Sequence, residues 1–173
     1  MRKGTARPVT DDELLERVSR GDVEALGELY DRYSGLVYQF ALALVRSRDA
    51  AEEVVQESFL GLLKSRSRLR DVRDIRSYLL RIVRNEVSHR RRRPEADSSA
   101  LEVVEAREGL SAKEVLEVNE ALARLPEEQL TVVVLKVWQG MTFAEIGDAL
   151  DIPANTAASR YRYAMEKLRE WLR

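Results

Sequence analysis

The chain has 173 residues, 45% hydrophobic and 34% charged, with 4 prolines, 8 glycines, one histidine and no cysteine. That composition fits one domain or two small helical ones, and it excludes disulfides, cysteine-ligated zinc and a metal site built from histidines. The net charge of −1 hides an uneven distribution. Residues 1–63 hold 8 basic and 12 acidic side chains, residues 64–93 hold 12 and 3, and residues 94–173 hold 9 and 15.

Asp11-Asp12-Glu13 predicts a short helix that is acidic at its N-terminus, as the helix dipole favours, and Gly21 ends it. Residues 1–21 are therefore an N-terminal extension with one short helix. Asp22 can cap the next helix, whose inward face reads Val23, Leu26, Leu29, Tyr30 and Tyr33. Leu36, Val37, Phe40, Ala41, Leu44 and Val45 continue at helical spacing. Ser47-Arg48-Asp49 breaks the pattern, and residues 51–63 predict a further helix with Val54, Val55, Phe59, Leu62 and Leu63 inward.

Residues 65–74 have little apolar content and predict a basic loop. A helix follows from about Ile75 into the arginine run ended by Pro94, with Ile75, Tyr78, Leu79, Ile82, Val83 and Val87 as its apolar stripe. Tyr78 lies on that stripe, which favours a core position over a base-stacking one. Residues 94–113 are polar and acidic and predict a linker, with 101–106 able to form a local helix.

The last sixty residues form a second unit, 114–173, beside the first, 22–93. Helices are predicted over 114–125, ended by Pro126, and over 127–139, closed by Gly140. Thr142-Phe143-Ala144-Glu145 fits a capping box, in which hydroxyl and carboxylate reciprocally satisfy free amides. That helix ends near Leu150. Asp151-Ile152-Pro153 is a turn, and a long helix runs onward. The layout is a helix-turn-helix, with small Ala144 and Ala157 expected at the helix crossing. Ala157, Tyr161, Ala164 and Leu168 point inward, leaving Asn155, Thr156, Ala158, Ser159, Arg162 and Tyr163 outward, where such a helix enters the major groove.

Three stretches carry a family resemblance. The first is Ala51-Glu52-Glu53-Val54-Val55-Gln56-Glu57-Ser58-Phe59. The second is Ile75-Arg76-Ser77-Tyr78-Leu79-Leu80-Arg81-Ile82-Val83-Arg84-Asn85. The third is Leu125-Pro126-Glu127 with Thr142-Phe143-Ala144-Glu145-Ile146 and Asn155-Thr156-Ala157-Ala158-Ser159-Arg160. In this order and spacing the chain resembles bacterial RNA polymerase sigma factors of the extracytoplasmic-function (ECF) group of the sigma-70 family.

The resemblance implies an all-α fold: a region 2-like bundle and a region 4-like helix-turn-helix joined by a flexible linker. It implies a cytoplasmic factor without cofactor or catalysis that binds core RNA polymerase, recognises the −10 and −35 promoter elements and promotes DNA opening. Glu52, Glu53, Gln56 and Glu57 would dock on the largest-subunit clamp, and the second module would meet the second-largest-subunit flap. Lys64, Arg66, Arg68, Arg70, Arg76, Arg81, Arg84 and Asn85 would engage the −10 element. Asn155, Thr156, Ser159, Arg160, Arg162 and Tyr163 would engage the −35 element, Arg162 at a base edge and Arg160 at a phosphate. An anti-sigma factor is a further partner the resemblance leaves open.

Two departures bear on this. Ala157-Ala158 stand where many relatives carry a β-branched residue and then a cation, which puts the −35 preference in question, and Tyr78 stands where tryptophan is more frequent. The rival from another class is a helix-turn-helix repressor acting without polymerase, which would need dimer symmetry and a palindromic operator. An enzyme acting on nucleic acid is disfavoured by one histidine, no cysteine and no carboxylate cluster facing the basic island.

Overall fold

The structure, a computed structural model, describes residues 9–91 and 111–172. Among the described residues the regular elements are α1 (Asp11–Ser19), α2 (Val23–Val45), α3 (Arg48–Lys64), a 3-10 turn (Arg66–Asp71), α4 (Ile75–Arg91), α5 (Ala112–Arg124), α6 (Glu127–Val137), α7 (Phe143–Leu150) and α8 (Ala154–Trp171). The region expected to form a local helix at 101–106 lies outside the described residues.

Side-chain caps fix where most of these helices begin. Thr10 with Glu13, Ser111 with Glu114 and Thr142 with Glu145 form capping boxes, while Asp22 and Ser47 accept amide hydrogens at the starts of α2 and α3. Each such cap contributes about 1 kcal/mol. Ser47 starts α3 at Arg48, three residues earlier than the apolar pattern suggests, and Ser111 starts α5 within the expected linker. Gly21, at φ +91°, turns the chain between α1 and α2 in a conformation that disfavours a side chain.

In the first module α2 packs on α3 and α4, and α1 packs on the 3-10 turn and α2. Leu14, Leu15 and Val18 of α1 are buried, so residues 11–19 are part of this bundle. The expected loop at 65–74 is largely the 3-10 turn, which Leu69, 1% exposed, anchors to the core. Two expected core positions of α2 are exposed: Val23, 71% exposed, because it is the first residue of the helix, and Tyr30, because its ring lies at the edge of the bundle against Phe59, 4.9 Å away.

In the second module α8 packs against α6 and α7. Ala157 is buried at the crossing as expected, but Ala144 faces solvent. The close approach is made by Gly147, where an added Cβ would stand 2.7 Å from the Ile152 carbonyl oxygen. The turn is held by the Ile152 amide donating to Gly147 O at 3.0 Å and by Asp151 in the left-handed region at φ 56°, which aspartate tolerates better than most residues.

The modules also touch each other, α4 against α7 and α2 against α6. Their buried apolar residues form one contiguous cluster.

Candidate nucleic-acid interface

Helix α3 buries Val54, Val55, Ser58 and Phe59 and so turns Glu52, Glu53, Gln56 and Glu57 outward, all four exposed. Glu53 meets Arg90 of α4 at 2.7 Å. That ion pair makes Arg90 a bridge between α3 and α4 rather than part of an open cationic track.

The basic island divides in two. Lys64, Arg66, Arg68 and Arg70 are exposed around the 3-10 turn, because only Leu69 is drawn inward. Arg70 Nε donates to Ser19 Oγ at 3.4 Å, and the Arg66 guanidinium lies beside Gly21, so these two lean on the N-terminal hairpin. Asp74 accepts the amides of Arg76 and Ser77 and the Ser77 hydroxyl, which fixes the start of α4. Tyr78 is half-buried, and its hydroxyl donates to Ser65 Oγ at 3.1 Å, which ties α4 to the base of the basic turn.

The arginines of α4 itself point across the molecule. Arg76 donates to the Gln139 carbonyl, Arg81 Nη2 to Asp148 O at 2.6 Å and Arg84 Nη1 to Leu150 O at 2.7 Å. Arg46, at the end of α2, donates to Leu122 O at 3.1 Å. These acceptors lie at or near the C-terminal ends of α5, α6 and α7, where unpaired carbonyls carry the negative end of the helix dipole. Asn85 remains exposed beside them.

On α8, Asn155, Arg162 and Tyr163 are exposed, and Thr156 and Ser159 are half-buried. The Arg162 guanidinium lies over the Tyr163 ring, 5.1 Å from its centroid. Arg160 pairs with Glu128 of α6 at 2.6 Å. Arg84, Asn85 and Ser88 face Glu127, Glu128, Leu150, Ile152 and Arg160 across a cleft of about 480 Å³. The sequence did not reveal Glu128 as the partner of Arg160, nor Gln129 as the acceptor for Lys167 at 3.2 Å. Neither pair follows from spacing along one helix.

The surroundings perturb a few titratable groups. Hydrogen bonds from the backbone and side chain of Ser111 hold Glu114 below the usual glutamate range, and those from Thr142 do the same for Glu145. Burial and then the Asp11 hydrogen bond push the Tyr33 phenol well above its usual value. Among the described residues no three His, Cys, Asp or Glu side chains come together as a metal site.

Comparison with known proteins assigns both modules. Residues 29–96 match the family model described as sigma-70 region 2, and residues 121–170 match sigma-70, region 4. The ECF RNA polymerase sigma-E factor of Salmonella typhimurium is 30% identical over 178 residues, covering 92% of this chain and 93% of the relative. The ECF RNA polymerase sigma factor SigW of Bacillus subtilis is 27% identical over 177 residues, covering 92% and 95%. Among solved structures, CnrH in complex with the cytosolic domain of CnrY shares the fold with a TM-score of 0.72 at 24% identity, covering 94% of this chain and 96% of that one. The sigma factor RpoE of Bartonella quintana, in complex with the anti-sigma factor NepR, gives 0.67 at 19% identity, covering 84% and 95%.

Proposed function

The chain belongs to the sigma-70 family, in its ECF group, and from that membership we propose a residue-level division of labour for promoter recognition and opening. As a sigma factor the protein binds core RNA polymerase and promoter DNA and acts in transcription initiation. The exposed face of Glu52, Glu53, Gln56 and Glu57 docks on the polymerase clamp, and the second module meets the flap. Lys64, Arg66, Arg68, Arg70, Arg76, Arg81, Arg84 and Asn85 take the −10 element. Asn155, Thr156, Ser159, Arg160, Arg162 and Tyr163 take the −35 element.

The observation that carries this division is the pairing, in one chain, of an arginine-rich turn and helix with a helix-turn-helix whose α8 presents Asn155, Arg162 and Tyr163 to solvent. Opening a promoter requires a cationic track for one strand and surfaces that hold its unstacked bases. The exposed arginines around Leu69 supply the track, and Asn85 offers an amide to a base edge. Binding the separated strand supplies the free energy of melting, so the factor needs no catalysis of its own. Arg162, braced on Tyr163, suits a bidentate contact to guanine. Arg160, held by Glu128, suits a phosphate at fixed register.

Among the described residues no helix is long and apolar enough to cross a membrane. We place the protein's action in the cytoplasm, where polymerase and promoter meet. An anti-sigma factor, the partner named for the Bartonella protein, is carried over as a proposal on the shared fold. The test of the division is permanganate footprinting of holoenzyme on a cognate promoter. Arg81→Ala with Arg84→Ala should reduce open complex and flatten its salt dependence by roughly one unit of slope per lost phosphate contact. Normal opening in the double variant would overturn the assignment of α4.

A further inference from the structure

The basic 3-10 turn, Arg66–Asp71, has poor intrinsic hydrogen-bond geometry and is uncommon at this length without tertiary support. Its cations sharpen that need. Arg66, Arg68 and Arg70 alternate along it, all exposed, with Lys64 just before them, and like charges so close repel one another. Leu69 is the one residue of the turn that is buried. The turn packs against α1 and, less extensively, against α3. Its main seat is therefore a helix that lies outside the residues 29–96 matched by sigma-70 region 2.

A 3-10 helix eclipses positions three apart, so Arg66 stands over Leu69 on the side that faces α1. The Arg66 guanidinium reaches Gly21, where an added Cβ would stand 3.1 Å from its Nη1. Arg70 follows Leu69, and its Nε donates to Ser19 Oγ at 3.4 Å. The Ser19 hydroxyl is itself fixed, because it donates to Glu16 O at 2.6 Å and so leaves its lone pairs to Arg70. Both guanidinium groups thus lie at the C-terminal end of α1, where the helix dipole is negative and favours a cation. The cations that α1 supplies there are drawn elsewhere: Arg17 to Asp22 at 2.8 Å and Glu28 at 3.1 Å, and Arg20 to Glu16 at 2.5 Å.

We propose that the C-terminal end of α1 is a positioning element for promoter recognition, with Ser19 the residue that orients Arg70: it holds Arg66 and Arg70 at fixed places for phosphates of the −10 strand, so the DNA-binding unit of the first module begins with α1. This rests on the assignment of the basic turn to the −10 element and adds what orients it. A long arginine that is already held loses less rotamer freedom when it meets a phosphate. The guanidinium fork has donors for both partners, so Nε stays on Ser19 while the Nη groups take the strand.

The experiment measures, against salt concentration, the affinity of holoenzyme for a labelled oligonucleotide that displays the non-template −10 strand. Ser19→Ala should weaken binding roughly threefold, the size expected for one long hydrogen bond, with helical circular dichroism and melting unchanged. Ser19→Thr keeps the hydroxyl and should restore wild-type affinity. In an Arg70→Ala background Ser19→Ala should have no further effect. With Arg68→Ala, on another side of the turn, the two losses should multiply. Ser19→Asp should turn Arg70 inward as an ion pair and lower the salt slope by about one, for one phosphate contact fewer. Duplex binding at the −35 element should be the same in every Ser19 variant. Wild-type affinity and slope in folded Ser19→Ala and Ser19→Asp, or a Ser19→Ala loss that persists in full without Arg70, would overturn the positioning role. Arg70→Ala separates the two proposals. If it weakens binding while the Ser19 variants do not, only this inference falls; if it binds as tightly as wild type, the assignment of Arg70 to the −10 strand falls with it.

Discussion

Replacing Gly147 with alanine sets two effects of opposite sign against each other. In the interior of a helix alanine is favoured over glycine by about 0.8–1.0 kcal/mol. Against this, the new Cβ would stand 2.7 Å from Ile152 O, 3.3 Å from Ala154 N and 3.5 Å from Ala154 Cα. All three are main-chain atoms, so no rotamer change relieves the contact. Restoring an ordinary separation moves the turn by roughly 0.6–0.8 Å. The same turn is pinned by the Ile152 amide bond to Gly147 and leads directly into α8. Overpacking of this kind costs about 1–3 kcal/mol, so the clash outweighs the propensity gain by about 1 kcal/mol. Thermal unfolding of the full chain should fall by about 2–4 °C, and affinity for the upstream element should fall more than stability because α8 is displaced. A variant that melts higher than wild type and selects the same upstream DNA would refute the steric reasoning.

Four further outcomes follow from the same geometry. Glu53→Ala with Gln56→Ala should weaken core-polymerase binding in a pull-down titration, while stability changes by less than about 1 kcal/mol because the Arg90–Glu53 pair is largely exposed. Arg162→Ala should cost about 1–3 kcal/mol and relax one or two promoter positions in a binding-and-sequencing selection. Arg160→Ala should weaken binding evenly across sequences, and an altered base column in that variant would show the two roles exchanged. Glu114 and Glu145 are held below their unfolded value of 4.5, so their stabilisation is complete above that value and is lost as pH falls through the lowered folded values; melting followed against pH should show this loss, shallower in Glu145→Gln.

Much of the architecture was legible because local signals agreed. Gly21, Gly140 and the Thr142–Glu145 box each mark a helix end chemically, and the turn at Asp151-Ile152-Pro153 separates α7 from α8 as expected. The Ser111–Glu114 box is equally present in the sequence, but its polar surroundings suggest a linker, and α5 starts two residues before the expected position. Val23 and Tyr30 fit an inward period, yet one sits at a helix end and the other at a bundle edge, where periodicity does not determine burial. The acidic face of α3 and the outward face of α8 follow from helical phase alone.

What the sequence did not reveal is whatever depends on main-chain acceptors far along the chain. Arg76, Arg81 and Arg84 carry no local mark of their carbonyl partners, because every residue offers the same acceptor. Leu80 is buried although it falls outside the apolar stripe that the sequence pattern marks on α4. The sequence carries no mark of the close approach at Gly147, because the main-chain atoms a Cβ would meet belong to the returning turn at Ile152 and Ala154.

The most direct test of the account is run-off transcription by purified core polymerase on a library of randomised promoters, with this chain as the added factor. The account predicts sequence-selective initiation that depends on two short elements at fixed spacing, reduced by Arg81→Ala with Arg84→Ala at the downstream element and by Arg162→Ala at the upstream one. Tight binding of the chain alone to a palindromic duplex, with no stimulation of initiation, would contradict it.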